Sequence, residues 1–385
     1  MEVTGTVKYI GADDLTLDLF ESQYPIPHGV SYNSYVILDE KIAVMDTVDK
    51  RASEQWQKNL KEVLGDQEPA YLIVSHLEPD HAANIGWFAS EYPKTTIVCS
   101  AKAKGMLPQF FDIDLSERIQ VVAEAEELSL GSHTLQFFMA PMVHWPEVMV
   151  TYESSEKTLF TADGFGTFGA LSKDLPWITE ARRYYTNIVG KYGPSVQQLL
   201  KKAATLDIAR IAPLHGPVLT ENLGDYIEKY QKWSSYTPEE SGILLAYASI
   251  HGNTKEAAEY FADVLKAAGE NVELLDLTRT HASYAIEKAF MYDRMILAAA
   301  TYDGGLFPPM EDFLHHLKAK GLTGRKIGLI ENGSWGPLAA KKMREILETM
   351  KGMEVVEPQV TIRSTRKEAD TKAFEALAEA MKAEA

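Results

Sequence analysis

The chain of 385 residues contains a single cysteine, Cys99, so no disulfide can form within it. Its place in the run Thr95-Thr96-Ile97-Val98-Cys99 reads as a buried strand residue, and a lone thiol fits a reducing compartment. The absence of any Cys-x-x-Cys pair excludes an iron–sulfur or rubredoxin-type centre built on the chain's own thiolates. Basic excess is also missing: the formal net charge is −17, whereas a general nucleic-acid binder needs a basic face. No apolar run approaches the roughly 20 residues that a membrane helix requires. Residues Met1 to Asp14 have neither a basic start nor an apolar stretch, so no secretory leader is visible. The expected location is the cytoplasm, with no membrane and no nucleic-acid partner.

With 45% apolar and 24% charged residues, the composition is that of a globular chain with substantial cores, and the length suits two or three domains. The pattern changes at the polar stretch Ser234-Ser235-Tyr236-Thr237-Pro238-Glu239-Glu240-Ser241, where a linker is placed. This divides the chain into 1–237 and 238–385. In the second part five short apolar runs alternate with five helix-like segments, the signature of a doubly wound, parallel five-stranded sheet. In the first part strand pairs are interrupted by helices at Arg51 to Leu64, Asp80 to Glu91 and Thr179 to Lys202, which suggests two sheets sandwiched by helices.

Four potential metal ligands crowd into Ser75-His76-Leu77-Glu78-Pro79-Asp80-His81, directly after the apolar run Tyr71-Leu72-Ile73-Val74. Alternate residues of an extended segment point the same way, so His76, Glu78 and Asp80 can converge, with His81 turning in as the next helix begins. His144, Asp163 and His215 each follow a further apolar run, as polar residues at a strand exit. Strand ends at one rim are where α/β layers place chemistry. His28 can serve as an outer hydrogen-bond donor to such a site. Tyr185 and Tyr192 read first as packing aromatics and second as hydroxyls for the site. His133, His281, His315 and His316 read as solvated.

In the second part the first strand ends in Ser249-Ile250-His251-Gly252-Asn253-Thr254 and a helix follows. Such a turn offers backbone N–H groups and a positive dipole end to a phosphate. Two further strand-end loops complete the pocket, Thr301-Tyr302-Asp303-Gly304-Gly305 and Asn332-Gly333-Ser334-Trp335. Tyr302 and Trp335 would contact a planar ring or else pack on the surface. The glycine spacing does not match Gly-x-Gly-x-x-Gly, which disfavours a dinucleotide.

The series His-x-Glu-x-Asp-His, then His, Asp and His, resembles the metallo-β-lactamase superfamily in the variant found in flavodiiron proteins (A-type flavoproteins). The second part is similar to flavodoxin, with His251 where flavodoxins often have Thr. Hydrolases of the superfamily usually have His-x-His-x-Asp-His, and Glu78 replaces the second His. A carboxylate there favours iron over zinc and stabilises the ferric state. The resemblance implies an αββα metallo-β-lactamase-like sandwich followed by a flavodoxin-like domain, without the rubredoxin or flavin-reductase domains that some members add. It assigns one iron to His76, Glu78 and His144 and the other to Asp80, His81 and His215, with Asp163 bridging. It implies FMN and two non-haem iron ions as cofactors. The implied activity is reduction of dioxygen to water, of nitric oxide to nitrous oxide, or of both. The implied partners are rubredoxin or a reduced deazaflavin as electron donor and a second copy in a head-to-tail homodimer, or a dimer of dimers. Two other readings compete: a dinuclear zinc hydrolase with a flavodoxin appendage, and an electron carrier fused to an inert metal domain.

Overall fold

The computed structural model describes residues 3–383. Contacts divide the chain into two compact units, Met1–Tyr185 with Pro194–Gln231, and Thr186–Gly193 with Lys232–Ala385. None of the described helices is long and apolar enough to cross a membrane.

The first unit is built on two sheets. One runs in chain order through β1 (Val7–Tyr9), β2 (Tyr35–Ile37), β3 (Ala43–Met45), β4 (Tyr71–Val74), β5 (Thr96–Ser100) and β6 (Ile119–Val122). It is antiparallel from β1 to β3 and parallel from β3 to β6. The other comprises β7 (Glu127–Ser129), β8 (Thr134–Met139), β9 (Met149–Glu153), β10 (Thr158–Phe160) and β11 (Arg210–Ala212), antiparallel except for the last pair. Inward residues of both sheets form one core: Ile37, Met45, Ile73 and Val98 from the first meet Leu135, Phe137, Met149 and Phe160 from the second. Alternation along each strand supplies these side chains to one face. The sandwich expected from the strand pairs is therefore present.

The second unit is the expected doubly wound sheet. Its main strands are β12 (Glu240–Ala248), β13 (Val272–Asp276), β14 (Tyr292–Tyr302), β15 (Lys326–Asn332) and β16 (Val360–Ile362), and two-residue strands add to it at Glu354–Val355, parallel beside β15, and at Gly305–Leu306, antiparallel on β14. The main strands lie in the order β13-β12-β14-β15-β16, all parallel. β12 is apolar at consecutive positions because both faces are covered: Ile243, Leu245 and Tyr247 pack on one side, Leu244, Ala246 and Ala248 on the other. The first face is covered by the helices Asn253–Ala267 and Thr371–Ala380, the second by Ala282–Met291, Pro308–Ala319 and Ala339–Leu347.

Three segments differ from their sequence reading. The run Thr179 to Lys202 is not one helix. It breaks after Ile178–Tyr184 through a π turn and a 3₁₀ turn, then resumes over Gly193–Ala203. Gly190 lies in that break and the Gly193-Pro194 pair opens the new helix, where proline is tolerated in the first turn. The run Asp80 to Glu91 divides into Pro79–Ala82 and Ile85–Glu91, and at the break Asn84 donates its side-chain amide to the Val48 carbonyl at 2.8 Å. His133 is buried rather than solvated: its Nδ1 lies 2.8 Å from Asp39 and its Nε2 3.0 Å from the Thr6 hydroxyl.

Phe137 is fully buried between the two sheets. Truncation by Phe137→Ala should cost about 3–5 kcal/mol of stability in the first unit, read as a lower denaturant midpoint.

Candidate functional site

Each metal-donor candidate sits where a strand ends. β4 runs straight into Ser75 and His76, His144 lies between β8 and β9, Asp163 follows β10, and His215 follows β11. The loops are held tightly. Asp46 accepts the Ser75 N–H at 2.7 Å, and burial raises its carboxyl to about 6. Asn33 donates to the carbonyls of Pro213 and Gly216 at 2.8 and 2.7 Å, bracketing His215. Gly216 has φ +85°, and a Cβ there would stand 2.3 Å from Thr167 Cγ2, so only glycine fits.

The seven candidates form two groups, His76–Glu78–His144–Asp163 and Asp80–His81–His215. In the first, His144 Nε2 is 2.9 Å from Glu78 Oε2 and 3.1 Å from Asp163 Oδ2, and His76 Nε2 is 3.3 Å from each of those oxygens. In the second, Asp80 Oδ2 is 3.4 and 3.2 Å from the Nε2 atoms of His81 and His215, which are 3.1 Å apart. The other oxygen of Asp163, Oδ1, is turned to this second group, 3.2 Å from His81 Nε2 and 3.7 Å from His215 Nε2. One carboxylate thus presents one oxygen to each group.

The donor set fits two metal ions. Both oxygens of Asp80 and of Asp163 are buried without a hydrogen-bond partner among the described residues, although imidazole nitrogens surround them. Donors bound to one ion at about 2.1 Å stand roughly 3.0–3.4 Å apart, the spacing seen here. The electrostatics agree. Burial opposes charge on His144, yet the Asp163 and Glu78 carboxylates override it and hold the ring up to about 9. Against the same burial, Glu147, Glu78 and Asp163 raise His76, and Asp80 and Asp163 raise His81. Burial would raise Asp163, but the surrounding imidazoles, His81 foremost, pull it well below the usual range. These groups demand positive charge, which protons or metal ions can supply.

Outer contacts aim the rings. Glu147, 1% exposed, accepts from His76 Nδ1 at 2.7 Å and from the Leu77 N–H at 2.9 Å. The Ser31 carbonyl accepts from His215 Nδ1 at 2.7 Å. Sequence reasoning offered His28 for this role; it is half-buried and belongs to neither donor group. The acidic residue three places after His144 was the available signal for Glu147. Tyr184 and Tyr32 have their rings beside His215, 5.6 and 6.0 Å between centroids, while Tyr185 packs on Tyr230.

In the second unit a cavity of about 490 Å³ opens at the carboxyl ends of β12, β14 and β15. Ser249, Ile250, His251, Asn253 and Thr254 line it from the first loop, Thr301, Tyr302, Asp303 and Gly304 from the second, and Asn332, Gly333, Ser334 and Trp335 from the third. Gly252 and Gly305 are outside the lining. Gly252 caps the helix Asn253–Ala267 with φ 99°, and Gly305 pairs back on Tyr302. Thr301 Oγ1 accepts the N–H groups of Leu338 and Ala339 at 2.8 and 3.1 Å, so its hydroxyl also anchors the next helix. Ser364, which follows β16, is an additional lining residue, held through its N–H by Asn332 Oδ1 at 3.0 Å. Trp335 is 95% and Tyr302 45% exposed at the rim. The lining offers hydroxyls, amides and backbone groups beside two aromatics, and the helix N-terminus at Asn253 suits a phosphate. These features fit FMN.

Residues 30–216 match the ODP family beta lactamase, and residues 244–364 match a flavodoxin domain. The chain belongs to the flavodiiron family. A nitric oxide reductase of Moorella thermoacetica is 28% identical over 375 residues, 94% of this chain and 92% of that protein. Two solved structures share the fold. The rubredoxin oxygen:oxidoreductase of Desulfovibrio gigas has a TM-score of 0.92 at 24% identity, over 99% of this chain and 97% of its own. The flavodiiron protein of Giardia intestinalis also has a TM-score of 0.92, at 23% identity, over 98% and 95%.

Two outcomes follow from the donor geometry. Asp163→Ala removes the one carboxylate common to both groups, so metal content after reconstitution should fall from two ions per chain to one or none, with the flavin content unchanged, by elemental analysis and absorbance. In the metal-free protein His144 keeps its proton until about pH 9. A metal ion must displace that proton, so apparent affinity should rise with pH between about 7 and 9 and proton release should accompany binding. Chelator competition at two pH values, with calorimetry in two buffers, checks this.

Proposed function

We propose that this flavodiiron protein is an oxidoreductase that takes electrons from an external donor through FMN to a di-iron centre and reduces dioxygen to water, nitric oxide to nitrous oxide, or both. The observation that carries this reading is Asp163, with one carboxylate oxygen toward each of two metal-donor groups, in a chain that also has a flavodoxin domain. The relatives' names point the same way: a nitric oxide reductase and a rubredoxin oxygen:oxidoreductase.

In this reading His76, Glu78 and His144 hold one iron, Asp80, His81 and His215 hold the other, and Asp163 bridges. The residues 249–254, 301–305 and 332–335 hold FMN, and the functional halves are 1–237 and 238–385. When bound, the two irons and the flavin supply up to four electrons, the number that takes dioxygen to two waters; two nitric oxide molecules need two electrons and two protons to give nitrous oxide and water. The protein's own part is to orient and to shield. Glu147 and the Ser31 carbonyl fix the rings of His76 and His215. Phe20, Tyr32 and Tyr184 surround His215 and the Trp145 ring meets His76 edge-on, which shields these two rings from water. Dry surroundings strengthen each metal–carboxylate interaction. Rubredoxin or a reduced deazaflavin is the proposed donor, and a head-to-tail homodimer, or a dimer of dimers, the proposed assembly, in the cytoplasm.

A zinc hydrolase is disfavoured by Glu78, a hard anionic donor in place of an imidazole, and by a flavodoxin domain that hydrolysis does not need. The test is anaerobic purification with metal and flavin analysis, followed by consumption of dioxygen and of nitric oxide by the reduced protein in parallel electrodes. Two irons and one FMN per chain with turnover of either gas are expected. Zinc in their place, or iron with no turnover of either gas, would reject the reading.

A further inference from the structure

Glutamate is almost never fully buried unless paired. Glu147 is buried at the foot of β9, and both hydrogen bonds of its Oε1 go to the segment that carries His76 and Glu78: one from His76 Nδ1 at 2.7 Å, one from the Leu77 N–H at 2.9 Å. Its Oε2 is buried and makes no hydrogen bond among the described residues. An oxygen that accepts two N–H groups belongs to an ionised carboxylate, and the short contact to His76 is a charge-assisted one. It puts the proton on Nδ1 and leaves the Nε2 lone pair facing Glu78 and Asp163. The Trp145 ring, 5.2 Å away and edge-on, stops His76 from turning.

The second donor group has no counterpart. His215 Nδ1 donates to a neutral acceptor, the Ser31 carbonyl, at 2.7 Å, and His81 Nδ1 is buried without a hydrogen-bond partner among the described residues. Asp163 is shared, and Glu78 in one group is balanced by Asp80 in the other. Asp46 acts through space on His81 first and on His76 second, and its hydrogen bond comes from the Ser75 N–H, not from a ring of either group. Asp49, near Asp80, is half-buried and is engaged by the Arg51 backbone N–H, so solvent screens it. Outside the donor set, and among the described residues, Glu147 is therefore the one fully buried carboxylate hydrogen-bonded to a ring of a single group.

We infer that Glu147 is a positioning residue that makes the two metal positions unequal, so that the metal held by His76, Glu78 and His144 is the harder of the two to reduce. A carboxylate behind an imidazole raises the electron density at its metal-facing nitrogen and so favours the higher oxidation state. In the one-electron-reduced protein the ferric ion then resides in the His76 group and the ferrous ion in the Asp80–His81–His215 group. This assignment of oxidation states rests on the di-iron reading; the inequality of the two positions does not.

Two measurements on the full-length protein test it, with Glu147→Gln, which keeps an acceptor but removes the charge, and Glu147→Leu, which removes both. First, cobalt(II) is titrated into metal-free protein in competition with a chelator. One of the two binding steps should weaken, by about ten-fold or more in Glu147→Leu, with the other unchanged. Second, the iron-loaded protein is titrated with reductant while the mixed-valent signal is followed by electron paramagnetic resonance. In Glu147→Gln the lower of the two potentials should rise, narrowing the window and reducing the maximum signal. Equal weakening of both cobalt steps, or none, or two potentials that do not move, would overturn the inference. If Glu147→Leu fails to fold, Glu147→Gln decides alone. Failure of the di-iron reading would show separately, as purified wild-type protein without iron, while the cobalt titration would still report on Glu147.

Discussion

The first unit depends on holding four buried imidazoles, the buried Asp80 and Asp163 and the partly buried Glu78 at the ends of its strands. Burying a carboxylate is expensive unless positive charge or hydrogen bonds replace its hydration. Among the described residues Asp80 and Asp163 have no hydrogen bonds on either oxygen, so cations must supply the compensation. The raised His76, His81 and His144 show protons partly doing so. The features around the donors follow from this constraint. Loops that carry unsatisfied charge cannot drift, and here they are tied by Asp46, Asn33 and Glu147 to backbone N–H and C=O groups nearby. Gly216 is required because the chain must pass within reach of Thr167 to bring His215 in.

The second unit solves a different problem. Its pocket uses mostly neutral groups, with loops at three strand ends and one helix N-terminus. No buried charge cluster has to be compensated, so the loops can remain open. The two aromatics at the rim are correspondingly exposed. Rigid buried charge for metal and an open neutral cleft for a flat ligand are the opposite solutions expected for a cation and for an organic phosphate.

Much of this was legible along the chain. The strand-and-helix alternation of the second unit was read because consecutive apolar residues in β12 and β14 are covered on both faces, which leaves a strong local signal. The donor residues were legible because strand geometry places them directly after apolar runs. The errors have local causes. The run Thr179 to Lys202 has helical periodicity, and its break falls at Tyr185–Tyr192, ahead of the Gly193-Pro194 pair that starts the second helix. His133 looked polar and loop-borne, but Asp39 and Thr6, 94 and 127 residues away in sequence, bury it. Ser364 was overlooked because its place in the pocket follows from the position of β16 beside β15.

By itself the sequence determined the two-part architecture, the donor types, and the substitution of Glu78 that separates this chain from the hydrolase pattern, because these depend on residue identity and near-neighbour periodicity. Only the tertiary structure decided which oxygen of Asp163 faces which group, which imidazole is backed by a carboxylate and which by a carbonyl, and that Tyr184 rather than Tyr185 borders His215. Those are relations between atoms separated by up to 184 residues of chain. Hydrogen bonds and Coulomb forces act through space over a few ångströms, and only folding sets those distances.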